Sequence, residues 1–201
     1  MRTMVMGLMV GFVVLIAAPA QGQVAWDGPL LVSPGTPAGW GVFLVDPDPG
    51  SGIGVLGTWR GNESHGFRVG LAERRRGRLS GYGGADISGP ITRASINFPF
   101  DVDWVTGVGL GVGDAILFSV PLGMSLGRAV EADGVMFNPY VAPRVIVDAW
   151  MGSNRPRSGL HLSLAVDLGL DVAFDPSWAI RFGASMGDRD ALAIGLSFRL
   201  P

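Results

Sequence analysis

The stretch GLHLSLAVDLGLDVAF, residues 159–174, alternates without interruption between bulky apolar residues and small or polar ones. Leucine, valine or phenylalanine stands at every even position from 160 to 174, and the odd positions hold glycine, histidine, serine, alanine and aspartate. Since successive side chains of a β-strand point to opposite faces, this pattern predicts one long strand with two different faces. The leucine face lines the core if the protein is a soluble barrel, but it contacts lipid if the protein is a membrane barrel.

The chain after residue 38 divides in the same manner into short segments separated by turn residues. Breaks such as DPDPG and MGSNRPRS are rich in glycine, proline, asparagine and aspartate, as β-turns require. No segment in this part has the periodicity of an amphipathic helix. We predict an all-β, closed, antiparallel up-and-down barrel of ten strands, with eight as the main alternative. The predicted strands are residues 39–46, 51–60, 66–73, 79–88, 101–112, 115–127, 135–149, 159–174, 177–186 and 190–200.

The first 22 residues have the anatomy of a secretory signal peptide. Arg2 precedes an apolar run from Met4 to Ala18, and small residues follow at Ala18 and Ala20. This run is shorter than the roughly 20 residues that a spanning helix needs, so we expect cleavage after Ala20 or Gly22 and export. The expected organisation is a signal peptide at 1–22, a proline-rich leader at 23–38 and a barrel at 39–201.

Charge distribution favours the leucines on the outside. Only 16% of the residues are charged, all 15 basic residues are arginine, and a leucine-filled soluble barrel would present mostly glycine, alanine and serine to water. The narrow lumen of a small barrel accommodates small residues and paired charges. We therefore predict a transmembrane barrel with an ion-pair network in its lumen. The predicted network comprises Arg68, Asp86, Asp103, Arg144, Asp148, Asp167, Asp171, Arg181 and Arg199.

Aromatic residues gather at one predicted rim. If the strands alternate up and down from a periplasmic start, aromatic residues begin the upward strands and end the downward ones. Membrane barrels carry such aromatic girdles at the interface with water. The residues concerned are Trp40, Trp59, Phe67, Trp104, Phe137, Phe174, Trp178 and Phe198.

The C-terminal sequence AIGLSFRLP places Gly195, Phe198 and Leu200 at a glycine-x-x-apolar-x-apolar spacing. Together with the strand pattern from Gly39 onward, this spacing is similar to that of the small outer-membrane β-barrel proteins of Gram-negative-type bacteria, the opacity-protein-like or surface-antigen class. The resemblance implies an outer-membrane location and recognition of Gly195, Phe198 and Leu200 by the barrel-assembly machinery.

Catalytic and metal-binding patterns are weak. His161, Ser163 and Asp167 share one face of a strand, but residues two apart on a strand are separated by about 6.5–7 Å, which is too far for a nucleophile and its base. The two histidines and the absence of cysteine provide no metal-ligand spacing, and no cofactor is expected. We predict that the protein is not an enzyme, with a lipid-modifying barrel hydrolase as the less favoured alternative.

Arginines are also expected on the external loops, where they could contact anionic lipid. Bidentate guanidinium groups suit phosphate, so lipopolysaccharide phosphates are a candidate partner beside outer-membrane lipid in general. The alternative is that these arginines are solvated loop charges without a ligand. The net charge of −2 favours no nucleic-acid partner. The predicted function is a structural, surface-interaction or lipid-contact role, with the interior filled by side chains and no large pore. A soluble periplasmic barrel that binds an apolar ligand between its leucines is the alternative. The predicted external residues are Arg74, Arg75, Arg76, Arg78, Arg155, Arg157 and Arg189, whereas Arg93 is expected in a periplasmic turn.

Overall fold

The computed structural model describes residues 24–47, 52–62, 64–74, 78–113, 115–151 and 159–199. The predicted signal peptide lies outside these ranges. The described residues form eleven β-strands, and they contain no helix able to cross a membrane. The strands are β1 (Gly39–Asp46), β2 (Gly54–Asn62), β3 (His65–Arg74), β4 (Arg78–Thr92), β5 (Asp101–Val112), β6 (Ile116–Gly127), β7 (Val130–Ala132), β8 (Val135–Met151), β9 (Gly159–Asp175), β10 (Trp178–Gly187) and β11 (Ala191–Arg199).

Ten of these strands close into an antiparallel barrel, which lies within the predicted range of eight to ten. Each strand pairs with its neighbours in the chain, except that β6 pairs with β8 and the three-residue β7 forms only a short arm against β8. Pairing of β1 with β11 closes the ring, with Gly39 opposite Arg199 and Asp46 opposite Leu192. The sheet therefore has no free edge along the ring.

Strand limits differ from the prediction mainly in β4. This strand continues to Thr92, with a register shift near Pro90, whereas the sequence indicated an end at residue 88. Proline has no N–H to give to a neighbouring strand and is tolerated at such irregularities. The predicted long connection over residues 89–100 is correspondingly shortened to 93–100.

The bulky face of each strand points outward, and the small or charged face lines the lumen. In β9, Leu162 is 64% exposed, whereas Asp167 on the opposite face is 1% exposed. The same alternation of exposed and buried residues runs through β1, β6, β8, β10 and β11. The leucines therefore surround the barrel instead of filling it.

Aromatic side chains form a nearly continuous arc around one end of the barrel. Trp40 lies opposite both Trp59 and Phe198 in the strand register, and Phe198 lies opposite Trp178. Ring centroids are 6.2 Å apart for Trp40 and Trp59, and 5.6 Å apart for Trp59 and Phe67. We call this end, where β1 begins, the aromatic end, and the end where β1 finishes the opposite end.

Residues 24–37 run inside the barrel, and we call them the N-terminal plug. Trp26, Asp27 and Leu30 are at most 1% exposed, and Val24 and Val32 are also buried. They pack against inward side chains such as Phe43 of β1. The sequence indicated a proline-rich leader over residues 23–38, without a role assigned to it, and a lumen filled by side chains. In the structure, a segment of backbone shares the lumen with those side chains.

Candidate functional site: the occupied lumen

The N-terminal plug enters the lumen at the aromatic end and runs toward the opposite end. Near its entry, Gly35 N–H donates to Asp103 Oδ2 (3.2 Å), close to the start of β5. Midway, Leu30 N–H donates to Asp167 Oδ2 (3.0 Å) in the middle of β9. Farther along, Asp27 meets Arg189, which lies in the turn after β10. The plug thus extends through most of the barrel, and wall side chains hydrogen-bond to it at several levels.

Asp27 is the centre of a buried ion cluster in which plug and wall are joined. It pairs with Arg144 and, at 3.5 Å, with Arg189. Arg144 also donates to both oxygens of Asp167 (2.9 and 3.0 Å), and Arg189 donates to both oxygens of Asp148 (2.6 and 2.7 Å). Removal of one partner from a buried ion pair is costly because it leaves an uncompensated charge. This cluster therefore locks the plug to β8, β9 and the turn before β11.

Trp26 occupies a space that exists because three wall residues are glycines. A Cβ atom built on Gly84, Gly107 or Gly109 would lie within 2.7 Å of the Trp26 ring. No real Cβ approaches a ring atom so closely, so any larger residue would force the ring to move. The indole N–H donates to the carbonyl of Ser119 (3.1 Å), which satisfies its only polar group.

Arg68 holds the plug through its backbone. Its guanidinium group donates to the carbonyls of Pro29 (2.9 Å) and Leu30, and its Cζ lies 5.7 Å from the centre of the Trp26 ring. Arg181 acts similarly, since it donates to the Leu31 carbonyl (3.0 Å). Carbonyls of an irregular buried segment need such donors because no neighbouring strand supplies them.

Eight of the nine predicted network residues lie in the lumen, while Arg199 lies at its rim. Arg199 is exposed at the end of β11, and no ion pair of its side chain occurs within the described ranges. Two ion pairs form between predicted network residues of the wall. These are Arg144 with Asp167, and Arg181 with Asp171 at 2.7 Å. The position of Arg199 near the barrel rim gives its long side chain access to solvent.

The remaining acids of the network pair with arginines that were expected in loops or turns, or that were not predicted to belong to the network. Asp86 pairs with Arg60 (2.6 Å), and Asp103 pairs with Arg93, which was expected in a turn. Arg189, expected on an external loop, is buried and turned inward. Arg60 shares the inward parity of its strand, so alternation could have identified it. Asp27 and Arg189 lie outside the strands, where no periodicity points to them.

Several predicted residues lie outside the described part of the chain. These are Arg75, Arg76, Arg155, Arg157 and Leu200, and the side chains of Arg74 and Arg78 are likewise not described. Gly195 and Phe198 of the predicted assembly signal lie in β11, where Phe198 is exposed beside the aromatic arc.

The structure does not assemble a catalytic group from His161, Ser163 and Asp167. His161 is exposed near the start of β9, and the Ser163 hydroxyl donates to Asp148 Oδ2 (2.8 Å) rather than to a histidine. Asp167 is held by Arg144. Within the described ranges, no group of three histidine, aspartate or glutamate side chains has the arrangement of a metal site.

Comparison with models of known protein families found no match, and comparison with curated proteins found none either. The geometry of the wall, the lumen and the N-terminal plug is therefore the basis for inferring what this barrel does.

Proposed function

We propose that this protein is an integral outer-membrane β-barrel sealed by its own N-terminal plug, with a structural, surface-interaction or lipid-contact role. The main support for the proposal is the apolar character of the outer surface. Apolar side chains such as Leu44, Leu122, Val145, Leu168 and Ile194 are exposed on strands all around the ring. Exposed apolar patches on soluble monomers rarely exceed a few hundred Å², whereas this surface encircles the molecule.

Strand length and closure agree with a membrane environment. A transmembrane β-strand needs about 9–11 residues when tilted, and the ten wall strands range from 8 to 17 residues. In hydrocarbon, every backbone N–H and C=O must be satisfied within the protein, and a closed ring of strands does this. The aromatic arc at one end corresponds to an interfacial girdle.

Occupation of the lumen argues against a role as a large pore. The N-terminal plug is buried from Val24 to Pro34 and hydrogen-bonded to the wall at several levels. Export through a cleavable signal peptide, as the first 22 residues predict, would leave the plug close to the mature N-terminus. The barrel-assembly machinery is the proposed partner during insertion, acting through Gly195, Phe198 and Leu200.

The soluble-barrel alternative depended on leucines that line the core. Leu162 and Leu168, from the stretch on which that alternative was based, point away from the lumen. Within the described ranges, the lumen is occupied by charged side chains and by the plug, which favours the membrane barrel over a barrel that binds an apolar ligand between its leucines.

Membrane fractionation combined with an SDS gel tests the proposal. The protein should fractionate with the outer membrane, and the unheated sample should migrate faster than the boiled one because the closed barrel resists SDS. A protein that remains in the soluble fraction without detergent would contradict the proposal.

The lipid-contact role is proposed to include lipopolysaccharide phosphates bound by the arginines of the external loops. Replacement of Arg74, Arg75 and Arg76 with glutamine should weaken binding to vesicles that contain lipopolysaccharide, because the bidentate phosphate contacts are lost. Arg128→Gln, at an exposed arginine of the aromatic end, is the matched control. Unchanged binding of the triple variant would remove these residues from the proposal.

A further inference from the structure

A small cavity at the aromatic end of the lumen is surrounded by an excess of positive charge. Its volume is about 40 Å³, and it lies between the N-terminal plug and the strands β2, β3 and β11. Among the described residues that line it, four are arginines and only one is an acid. These residues are Arg60, Arg68, Arg181, Arg199 and Asp86.

Two of these arginines keep buried N–H groups without partners. Arg60 donates through Nη2 to Asp86 Oδ1 (2.6 Å), but its Nη1 has no hydrogen-bond partner among the described residues. Arg68 donates through both terminal nitrogens to plug carbonyls, whereas its Nε has no partner there. The two residues are only 7% and 5% exposed. Buried donors without partners are unfavourable, so both point to a missing acceptor.

The charge of Arg68 is also not neutralised by a carboxylate. Its hydrogen-bond acceptors are neutral carbonyls, and within the described ranges no acid lies within ion-pair distance of it. Arg181 already has Asp171 as its partner, and Asp86 is engaged by Arg60. Among the described residues, the cavity therefore combines a cation that has no carboxylate at ion-pair distance with donors that have no acceptor.

We propose that this cavity binds one phosphate-class oxyanion. Guanidinium groups match the oxygens of phosphate through parallel N–H donors, and an oxyanion would satisfy both the donors and the charge. A single water needs about 10–15 Å³ of cavity volume, so a cavity of about 40 Å³ accommodates a small group and excludes a bulky organic ligand.

A neighbouring cavity gives the site its access route. This second cavity, about 380 Å³ in volume, shares Arg181, Ser197 and Arg199 with the first. Trp40 and Phe198 of the aromatic arc also line the smaller cavity. The phosphate group therefore comes either from a soluble anion that enters through the larger cavity or from a lipid headgroup at the aromatic arc.

Calorimetric titration of the folded barrel in phospholipid-free detergent with inorganic phosphate tests the soluble source. Saturable binding supports the proposal, and Arg68→Gln should weaken it by roughly ten- to a hundred-fold, as expected for one charge-assisted contact. Arg60→Gln should act in the same direction. Arg128→Gln, at an exposed arginine that lines neither cavity, should bind phosphate as the unmodified protein does.

Native mass spectrometry tests the lipid source. The barrel extracted from phosphatidylglycerol vesicles should retain one phospholipid that the Arg60→Gln and Arg68→Gln barrels lose. If Arg68→Gln does not fold, as judged by the heat shift on SDS gels, Arg199→Gln replaces it, with a weaker expected effect since Arg199 is exposed. Absence of both phosphate and phospholipid binding, or equal binding by folded arginine variants, would overturn the proposal.

This inference stands separately from the proposed function. Phosphate binding is measured in detergent and does not require membrane insertion, whereas fractionation does not depend on the cavity. A barrel that inserts into the outer membrane but binds no oxyanion would therefore contradict only the site.

Discussion

At the scale of single residues, Asp27 contributes most clearly to holding the plug in place. It is completely buried, and its carboxylate joins Arg144 of the wall to Arg189 of a turn. Both arginines have a second carboxylate, so loss of Asp27 leaves neither without a partner. Without Asp27, the ion pairs of Arg144 with Asp167 and of Arg189 with Asp148 should therefore remain, while the attachment of the plug to them is lost.

We expect Asp27→Asn to lower the free energy of unfolding by about 3 kcal/mol, the lower end of the range for a broken buried ion pair, because each arginine keeps another acid. Urea unfolding in detergent measures this effect. Asp133→Asn, at an exposed turn residue with φ near 51° that asparagine also adopts, is the matched control and should change little. Equal stability of the two variants would show that Asp27 does not anchor the plug.

Trp26 and its glycine neighbours allow a test by coupled substitutions. Gly84→Ala should destabilise the barrel by about 1–3 kcal/mol, because its Cβ would lie 2.3 Å from the Trp26 ring. Gly81→Ala in the same strand is the control, since its Cβ would meet the Leu71 side chain at an ordinary 3.6 Å. Unfolding of both variants in urea provides the comparison.

The double variant Trp26→Ala/Gly84→Ala separates a steric effect from a change in the strand. Once the ring is removed, the alanine methyl has space, so the double variant should lose less stability than the sum of the single ones. Strict additivity would contradict the packing of Trp26 over Gly84.

At the scale of elements, the N-terminal plug behaves as an internal strap rather than as a strand. Residues 24–37 belong to no strand and pair with no strand of the wall. Arginine and serine side chains supply the partners instead; the Ser125 hydroxyl, for example, donates to the Val32 carbonyl (2.7 Å). The plug is thus held by side chains at separate levels.

A chain that lacks residues 24–37 should form a barrel that conducts ions in a planar bilayer, whereas the intact chain should not. The reason is that the plug fills the space between the inward side chains, and its removal leaves a charged lumen open to water. The heat shift on SDS gels verifies that the deletion variant is folded. A folded deletion variant without conductance would show that the inward side chains alone close the lumen.

The β8 and β9 strands illustrate how much of an element can be predicted. Their alternation predicted both faces, and the structure agrees within two residues at each end. Pro143 lies on the outer face of β8, and the pairing of β8 with β6 is interrupted near it, while pairing with β9 continues. Strand periodicity survives a proline because only one side of the strand loses a hydrogen bond.

At the scale of the whole molecule, the outer surface distinguishes a membrane barrel from a soluble one. Leu168 lies near the middle of β9 and faces outward, whereas Leu160 lies near the end of the same strand. In the proposed membrane location, a charged side chain at position 168 would lie at the centre of the bilayer. A charged side chain at position 160 would reach the interface with water.

Leu168→Arg should therefore reduce the free energy of folding into vesicles by about 2–4 kcal/mol, and Leu160→Arg by only about 0–1 kcal/mol. Denaturant titration in phospholipid vesicles measures both values. Equal, small effects would indicate that this face meets water, and would contradict the proposed membrane location.

The amino-acid sequence by itself determined the positions of the ten wall strands, apart from the end of β4, together with the two faces and the aromatic end. These features depend on local periodicity, because alternate residues of a strand face opposite sides whatever the partner strand is. For the same reason, the sequence correctly indicated that Arg144, Asp167, Arg181 and Asp171 would share one face.

Only the tertiary structure decided what fills the lumen. Residues 24–37 have no strand or helix periodicity, so their burial depends on contacts with residues far along the chain, such as Asp27 with Arg189. The inward position of Arg189 and the contacts of Arg68 with the carbonyls of Pro29 and Leu30 arise in the same way. Ring closure brings together side chains that are far apart in the sequence. Local periodicity does not depend on such contacts, so it cannot predict them.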